Sequence, residues 1–156
     1  KKEELTLQSA CDGLSLGVSI RIPENPTGII QFVHGMSEHR KRYYGVMEYF
    51  TNQGYITVLH DHRGHGDSVR SSQDYGYFYK NGTDSIVEDV HQITMYVKSR
   101  FPKLPLTLFG HSMGSMVVRC YMRKYDNDVD ALVVCGSPSR NPMAKAGYMF
   151  VKLLKK

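Results

Sequence analysis

The sequence predicts an α/β chain: a mostly parallel sheet wound with helices on both faces, edged by an antiparallel N-terminal hairpin. Two apolar runs of strand length, Gly28–Val33 and Tyr55–His60, show no polar alternation, as expected of strands buried on both faces. From Tyr55 onward, strand-like runs alternate with segments of helical periodicity, the pattern of parallel strands joined by helices. Ahead of these, residues 5–8 and 14–22 read as strands on either side of an Asp12-Gly13 hairpin turn.

The elements follow in order. Residues 23–28 form a loop before the Gly28–Val33 strand. Residues Tyr44–Asn52 fit a short helix, with Gly54 placed to terminate it, and Tyr55–His60 is the next strand. A polar stretch rich in Gly and Tyr covers residues 63–82. The clearest helix then begins with Ser85 and Glu88 in capping-box spacing, and Ile86, Val90, Ile93 and Val97 recur on one face. Phe101-Pro102 stops it. Residues 104–109 form a strand, 112–125 a helix and Ala131–Cys135 a last strand. There is no internal repeat and no low-complexity linker.

With 156 residues, 41% of them apolar and 22% charged, the chain can bury the core of one globular domain. No apolar run is long enough to span a bilayer. The start, Lys1-Lys2-Glu3-Glu4, lacks an apolar signal core and an initiator Met, and reads as trimmed. Cys11, Cys120 and Cys135 are odd in number and widely spaced, which suits small buried hydrophobes in a reducing compartment, the cytoplasm. A net charge of +5 invites a nucleic-acid partner, but the basic residues form no stripe interleaved with aromatics, so none is expected. Arg40-Lys41-Arg42 reads as a solvated face. The terminal Lys155-Lys156 pair suits attraction to anionic lipid or substrate.

Chemistry enters with Gly110-His111-Ser112-Met113-Gly114, set between a strand and a helix. Gly-x-Ser-x-Gly in that setting marks a sharp turn that presents its serine alone, the nucleophile elbow. Side chains at Gly110 or Gly114 would collide with the neighbouring strand or helix. His34-Gly35-Met36-Ser37-Glu38-His39 directly follows another strand. In a hydrolase with such an elbow, this loop supplies one backbone N–H to the oxyanion and the residue after the nucleophile supplies the other. Met36 and Met113 are the expected donors. His60, His62 and His65 have the spacing of a histidine-rich metal site, but Gly64 stands where such a site wants an Asp before the last histidine. The loop reads instead as glycine-bent and braced by Arg63 and Asp61. No metal or organic cofactor is expected.

The blocks H-G-M-S-E-H, D-H-R-G-H-G-D-S and G-H-S-M-G-S occur in this order and at similar separations in the monoacylglycerol lipase and lysophospholipase group of serine α/β-hydrolases. The chain resembles that group over essentially its whole length. The resemblance implies the α/β-hydrolase fold, an eight-stranded, mostly parallel sheet with a lid inserted after the sixth strand. It also implies Ser112 as nucleophile, with Met36 and Met113 lining the oxyanion hole. Proline iminopeptidases, carboxylesterases and thioesterases belong to the same superfamily.

One departure stands out. In this fold the triad runs Ser, then Asp or Glu, then His along the chain, yet all seven histidines, at 34, 39, 60, 62, 65, 91 and 111, precede Ser112. Asp126, Asp128 and Asp130 enter the last strand at the end opposite the serine and read as solvated turn residues. His111 adjoins Ser112, but the bend turns neighbouring side chains apart, so His111 is expected to shape the pocket. The catalytic acid and base are absent from these residues.

Gly136-Ser137-Pro138 leaves the sixth strand, and residues 143–154 read as an amphipathic helix where the family's lid begins. Residues 1–136 are thus expected to form the N-terminal part of the hydrolase core and 137–156 the start of the lid. A sheet ending at Ala131–Cys135 would expose an apolar edge, so the chain reads as a piece of a longer polypeptide. The expected activity is hydrolysis of carboxylic esters, monoacylglycerols or lysophospholipids foremost, through an acyl-enzyme on Ser112. The C-terminal segment reads equally as a simply packed helix or as a lid that, with Lys152, Lys155 and Lys156, would touch the membrane surface transiently. The competing reading is a non-catalytic remnant that binds an acyl ligand or a partner chain.

Overall fold

A computed structural model describes residues 1–139. The strands are β1 (Lys2–Gln8), β2 (Ser15–Arg21), β3 (Gly28–Val33), β4 (Tyr55–His60), β5 (Leu106–His111) and β6 (Ala131–Cys135). The helices are α1 (Tyr44–Asn52), α2 (Gly82–Arg100) and α3 (Met113–Tyr125). One six-stranded sheet has the order β1-β2-β4-β3-β5-β6. β1 and β2 form an antiparallel pair, β2 joins β4 antiparallel, and all pairings from β4 to β6 are parallel. The expected fold class is borne out.

The apolar runs explain the layers. In β3 every residue is buried. Its alternate side chains serve opposite faces: Ile29 and Val33 pack with α2 and α3, while Ile30 and Phe32 pack with Met47 of α1. The α2 stripe of Ile86, Val90, Ile93 and Val97 is at most 2% exposed, so the one-face spacing read from sequence is the core face. Gln31 is the polar exception within β3. Its Nε2 donates to Val90 O (3.0 Å) and its Oε1 accepts from Thr94 Oγ1 (2.7 Å), which satisfies both ends of the buried amide.

Four expectations need correction. The β1–β2 connection is no two-residue turn: Ser9 N–H donates to Leu14 O and Gly13 N–H to Ser9 O (both 2.8 Å), because Ser9 and Asp12 also serve Arg63. Ser85 and Glu88 do not cap α2, which starts a turn earlier, after Asn81 at φ 59°. Ser85 Oγ donates to Lys80 O, and Glu88 instead accepts from Tyr125 and pairs with Lys124. Arg40 is buried rather than solvated, held by Asp61 and by Asp67 (2.7 Å). Cys120 and Cys135 are exposed, since Cys120 faces a surface cleft and Cys135 lies on the outermost described strand.

Near the start of α1, a Cβ on Gly45 would meet nothing within 4 Å. Gly45→Ala should therefore raise stability by about 0.5–1 kcal/mol through helix propensity alone, measurable by urea unfolding.

Candidate active site

The sheet order places a topological switch between β3 and β5: the chain leaves β3 for β4 on one side and returns to β5 on the other. Ligands of open α/β sheets bind at the carboxyl ends of strands at such a point. Both sequence motifs lie there. Val33 pairs with Gly110, so the residues that follow, His34-Gly35-Met36 and His111-Ser112-Met113, leave the sheet side by side.

The bend after β5 is sharp. Ser112 has φ 52° and ψ −117°, a conformation side chains rarely adopt and one that costs of order 1–3 kcal/mol. Its surroundings fix it. Ser112 N–H donates to Cys135 O of β6 (2.9 Å), and Ser112 O accepts from Ser115 N–H (3.0 Å) and Ser115 Oγ (2.5 Å). A Cβ on Gly110 would lie 2.5 Å from Gly114 O, and one on Gly114 would lie 2.0 Å from Val33 O. Only glycine lets α3 approach β3 so closely. The Ser112 side chain does not cap α3, and among the described residues its hydroxyl has no hydrogen bond.

Beside the bend, Gly35 packs so tightly that a Cβ would sit 3.1 Å from Ser112 Cβ. Among the described residues, neither the Met36 nor the Met113 N–H donates a hydrogen bond. The Glu38 carboxylate accepts from Gly35 N–H (2.8 Å) and from Tyr43 O–H (3.0 Å), and lies 3.2 Å from His111 Nδ1. Burial opposes ionisation of Glu38, but these hydrogen bonds hold its carboxyl below the usual range. Sequence reasoning gave Glu38 and Tyr43 no role. The only available signal was a carboxylate three residues beyond Gly35.

The histidine-rich loop lies beneath. His34 Nδ1 is 2.7 Å from Gly35 O, and His34 Nε2 accepts from His62 N–H (2.9 Å). His34, His60, His62 and His65 are buried and pack ring against ring. Burial pushes His34 down to about 4, His60 down to about 3 and His62 well below the usual range. Among the described residues, no group of three or more His, Cys, Asp or Glu is arranged to hold a metal ion. Arg63 and Asp61 brace the loop through separate partners: Asp61 takes Arg40, and Arg63 takes Asp89 (2.8 Å) and Asp12 (3.0 Å). Gly66 is required here, since a Cβ would lie 2.3 Å from the Asp61 carboxyl.

An apolar cleft of about 320 Å³ opens beside the bend, with Met36, Met113, Met116, Phe78 and Ile86 in its wall. On the other side His111 faces a second cavity with Glu38, Tyr43 and Phe109, in keeping with a pocket-shaping residue. The late aspartates sit at the opposite end of the sheet. Asp130 accepts from Leu106 N–H at the start of β5 (2.7 Å), and Asp128 accepts from His91 Nε2 (3.1 Å). From residue 140 onward the expected lid lies outside the described residues.

Residues 24–156 match the family model described as serine aminopeptidase, S33, and the chain belongs to that family. It is 31% identical over 112 residues to a monoacylglycerol lipase of Mycolicibacterium smegmatis, covering 72% of this chain and 38% of that protein. It is 32% identical over 92 residues to the monoglyceride lipase of Homo sapiens, covering 59% of this chain and 29% of that one. Among solved structures, a thermostable carboxyl esterase from Bacillus coagulans, in complex with glycerol, superposes with a TM-score of 0.87 at 34% identity, covering 98% of this chain and 50% of that one. The resemblance to the monoacylglycerol lipase and lysophospholipase group is borne out. The chain spans well under half the length of those two curated relatives and half that of the esterase.

Proposed function

We propose that this chain is the N-terminal part of a serine hydrolase that cleaves carboxylic esters, with monoacylglycerols or lysophospholipids as its substrates. The observation that carries the reading is the strained Ser112 bend at the sheet's switch point, its hydroxyl without a partner among the described residues. A relaxed turn would serve equally well if that serine were only structural. The lipases and the esterase matched at 31–34% identity favour an ester over the amide bond that the family description suggests.

In this mechanism Ser112 Oγ attacks the ester carbonyl while a histidine takes its proton. The carbonyl oxygen becomes an oxyanion and is stabilised by the N–H groups of Met36 and Met113. The intermediate collapses, the alcohol leaves with the proton from the histidine, and the acyl group remains on Ser112. Water, deprotonated by the same base, then releases the fatty acid. No histidine follows Ser112 in these 156 residues, so the base and its acid partner are proposed to come from polypeptide beyond Lys156. Residues 137–156 are proposed to begin a lid whose lysines meet the lipid surface. The acyl chain would enter the cleft walled by Met36 and Met113.

The test is a substrate panel on the complete polypeptide, with monoacylglycerols, lysophospholipids, short esters and aminoacyl amides. Hydrolysis of the lipid esters ahead of the amides is expected. Turnover of amides alone would make it a peptidase. No turnover would favour the non-catalytic remnant.

A further inference from the structure

We propose that Glu38 is a positioning residue: one of its carboxylate oxygens ties the Gly35-Met36 turn to the His111-Ser112 bend and so sets the Met36 amide against the Ser112 hydroxyl. This rests on the hydrolase reading above. The two segments come from different strands and share no backbone hydrogen bond beyond the end of the β3–β5 pairing at Val33 and Gly110. What joins them past that point is Glu38. Its Oε2 accepts from Gly35 N–H at 2.8 Å and from Tyr43 O–H at 3.0 Å, and lies 3.2 Å from His111 Nδ1. Tyr43 Oη also lies 3.3 Å from His111 Nδ1.

The donors decide the chemistry. A carboxylate can only accept, and Tyr43 spends its single proton on Glu38, so both oxygens facing His111 Nδ1 are acceptors. Nδ1 therefore carries a hydrogen, and Glu38 fixes the tautomer of the residue next to the serine. The side chain of Glu38 is only 15% exposed, which strengthens these charge-assisted bonds over their worth in water. The packing leaves little slack: a Cβ on Gly35 would fall 2.8 Å from Glu38 Oε2 and 3.1 Å from Ser112 Cβ. Without the carboxylate, Gly35 N–H is left buried and unpaired, and the turn is expected to rotate to satisfy it. The Met36 amide moves with the turn. A displacement of about 1 Å in such a constellation costs roughly 100-fold in rate.

The complete polypeptide carrying Glu38→Ala should lose about 100-fold in kcat on a monoacylglycerol while KM stays within about threefold. Affinity for a trifluoromethyl ketone, which forms the oxyanion, should fall in step with kcat/KM. Glu38→Gln keeps an acceptor for Gly35 N–H and should recover to within about tenfold of the parent. Nitrogen NMR should find His111 Nδ1 protonated in the parent and in Glu38→Gln, whose oxygen still faces it, and in Glu38→Ala, where the Tyr43 O–H is free to donate to Nδ1, the tautomer should be released. An Ala variant that keeps its kcat, or one that changes only KM, would overturn the proposal, the second by making Glu38 a substrate contact. A Gln variant as poor as Ala would overturn it too. Should Glu38→Ala fail to fold, Glu38→Asp, whose carboxylate is drawn back by one methylene, is read for the same split. If the parent takes no fluorophosphonate at Ser112, the hydrolase reading fails by itself. The clamp is then judged on the His111 tautomer alone, with an unprotonated Nδ1 overturning it.

Discussion

Gly114→Ala is expected to cost about 3 kcal/mol or more in stability and to abolish esterase activity in the complete polypeptide. The added methyl would lie 2.0 Å from Val33 O and 2.7 Å from His34 O. Both obstacles are backbone, and Val33 belongs to a strand paired on both sides, so neither can rotate away as a side chain would. The first turn of α3 must lift off β3 instead. That movement carries the Met113 amide and the Ser112 bend with it. Gly110→Ala should be milder, because one of its two closest neighbours, Val118 Cγ2 at 2.6 Å, is a side-chain atom that can shift. Gly45→Ala, with nothing nearby, supplies the control: the same methyl there stabilises. Urea unfolding of the three variants beside the parent checks the order. A Gly114→Ala protein of parental stability and activity would contradict the close approach of α3 to β3.

The second large effect is loss of stability in mild acid. His34, His60 and His62 have their ring charges opposed by burial, with His34 lowered to about 4 and His60 to about 3. Unfolding returns each ring to water and to an ordinary affinity for protons near pH 6.5. The unfolded state therefore binds more protons than the native state between about pH 6.5 and pH 4, and stability falls with pH through that window. It is fully present above it. Each such ring removes about 2 kcal/mol between pH 7 and pH 5, so the cluster together removes on the order of 5 kcal/mol. The carboxylates lowered in the native state, such as Glu3 and Asp67, lose their contribution mainly below about pH 5 and add little to the loss between about pH 7.5 and pH 5. His60 is the cleanest probe, because neither of its ring nitrogens has a partner among the described residues. His60→Leu should lessen the loss of stability between about pH 7.5 and pH 5 by about 2 kcal/mol without costing a hydrogen bond. Urea midpoints at about pH 7.5 and pH 5 read both effects; equal midpoints in the parent would refute them.

Where the sequence was legible, one physical signal dominated. β3, β4 and β6 and helix α1 begin and end where apolar runs meet Gly, Pro or polar residues, and tertiary context had nothing to override. The Gly-x-Ser-x-Gly segment was readable for a related reason, since its glycines answer to local sterics. The misses share a different cause. Ser85 and Glu88 matched a capping box, but Glu88 found Lys124 and Tyr125, thirty-six and thirty-seven residues away, and Ser85 turned to Lys80 O. Arg40 looked like one of three solvated cations until β4 and the loop after it brought Asp61 and Asp67 to it. The Glu38 cluster likewise reaches His111, seventy-three positions away, which no local pattern encodes. For Glu88, Arg40 and the Glu38–His111 contact the deciding partners are twenty-one or more residues away, and spacing along the chain carries no record of them.

The most direct measurement of the account is fluorophosphonate labelling of the complete polypeptide, with the modified residue mapped by mass spectrometry. The probe should add to Ser112 alone, and the Ser112→Ala protein, folded to the same thermal midpoint, should take none. A folded, full-length parent that stays unlabelled, or one labelled elsewhere while Ser112 remains free, would contradict the assignment of a reactive hydroxyl to the bend between β5 and α3.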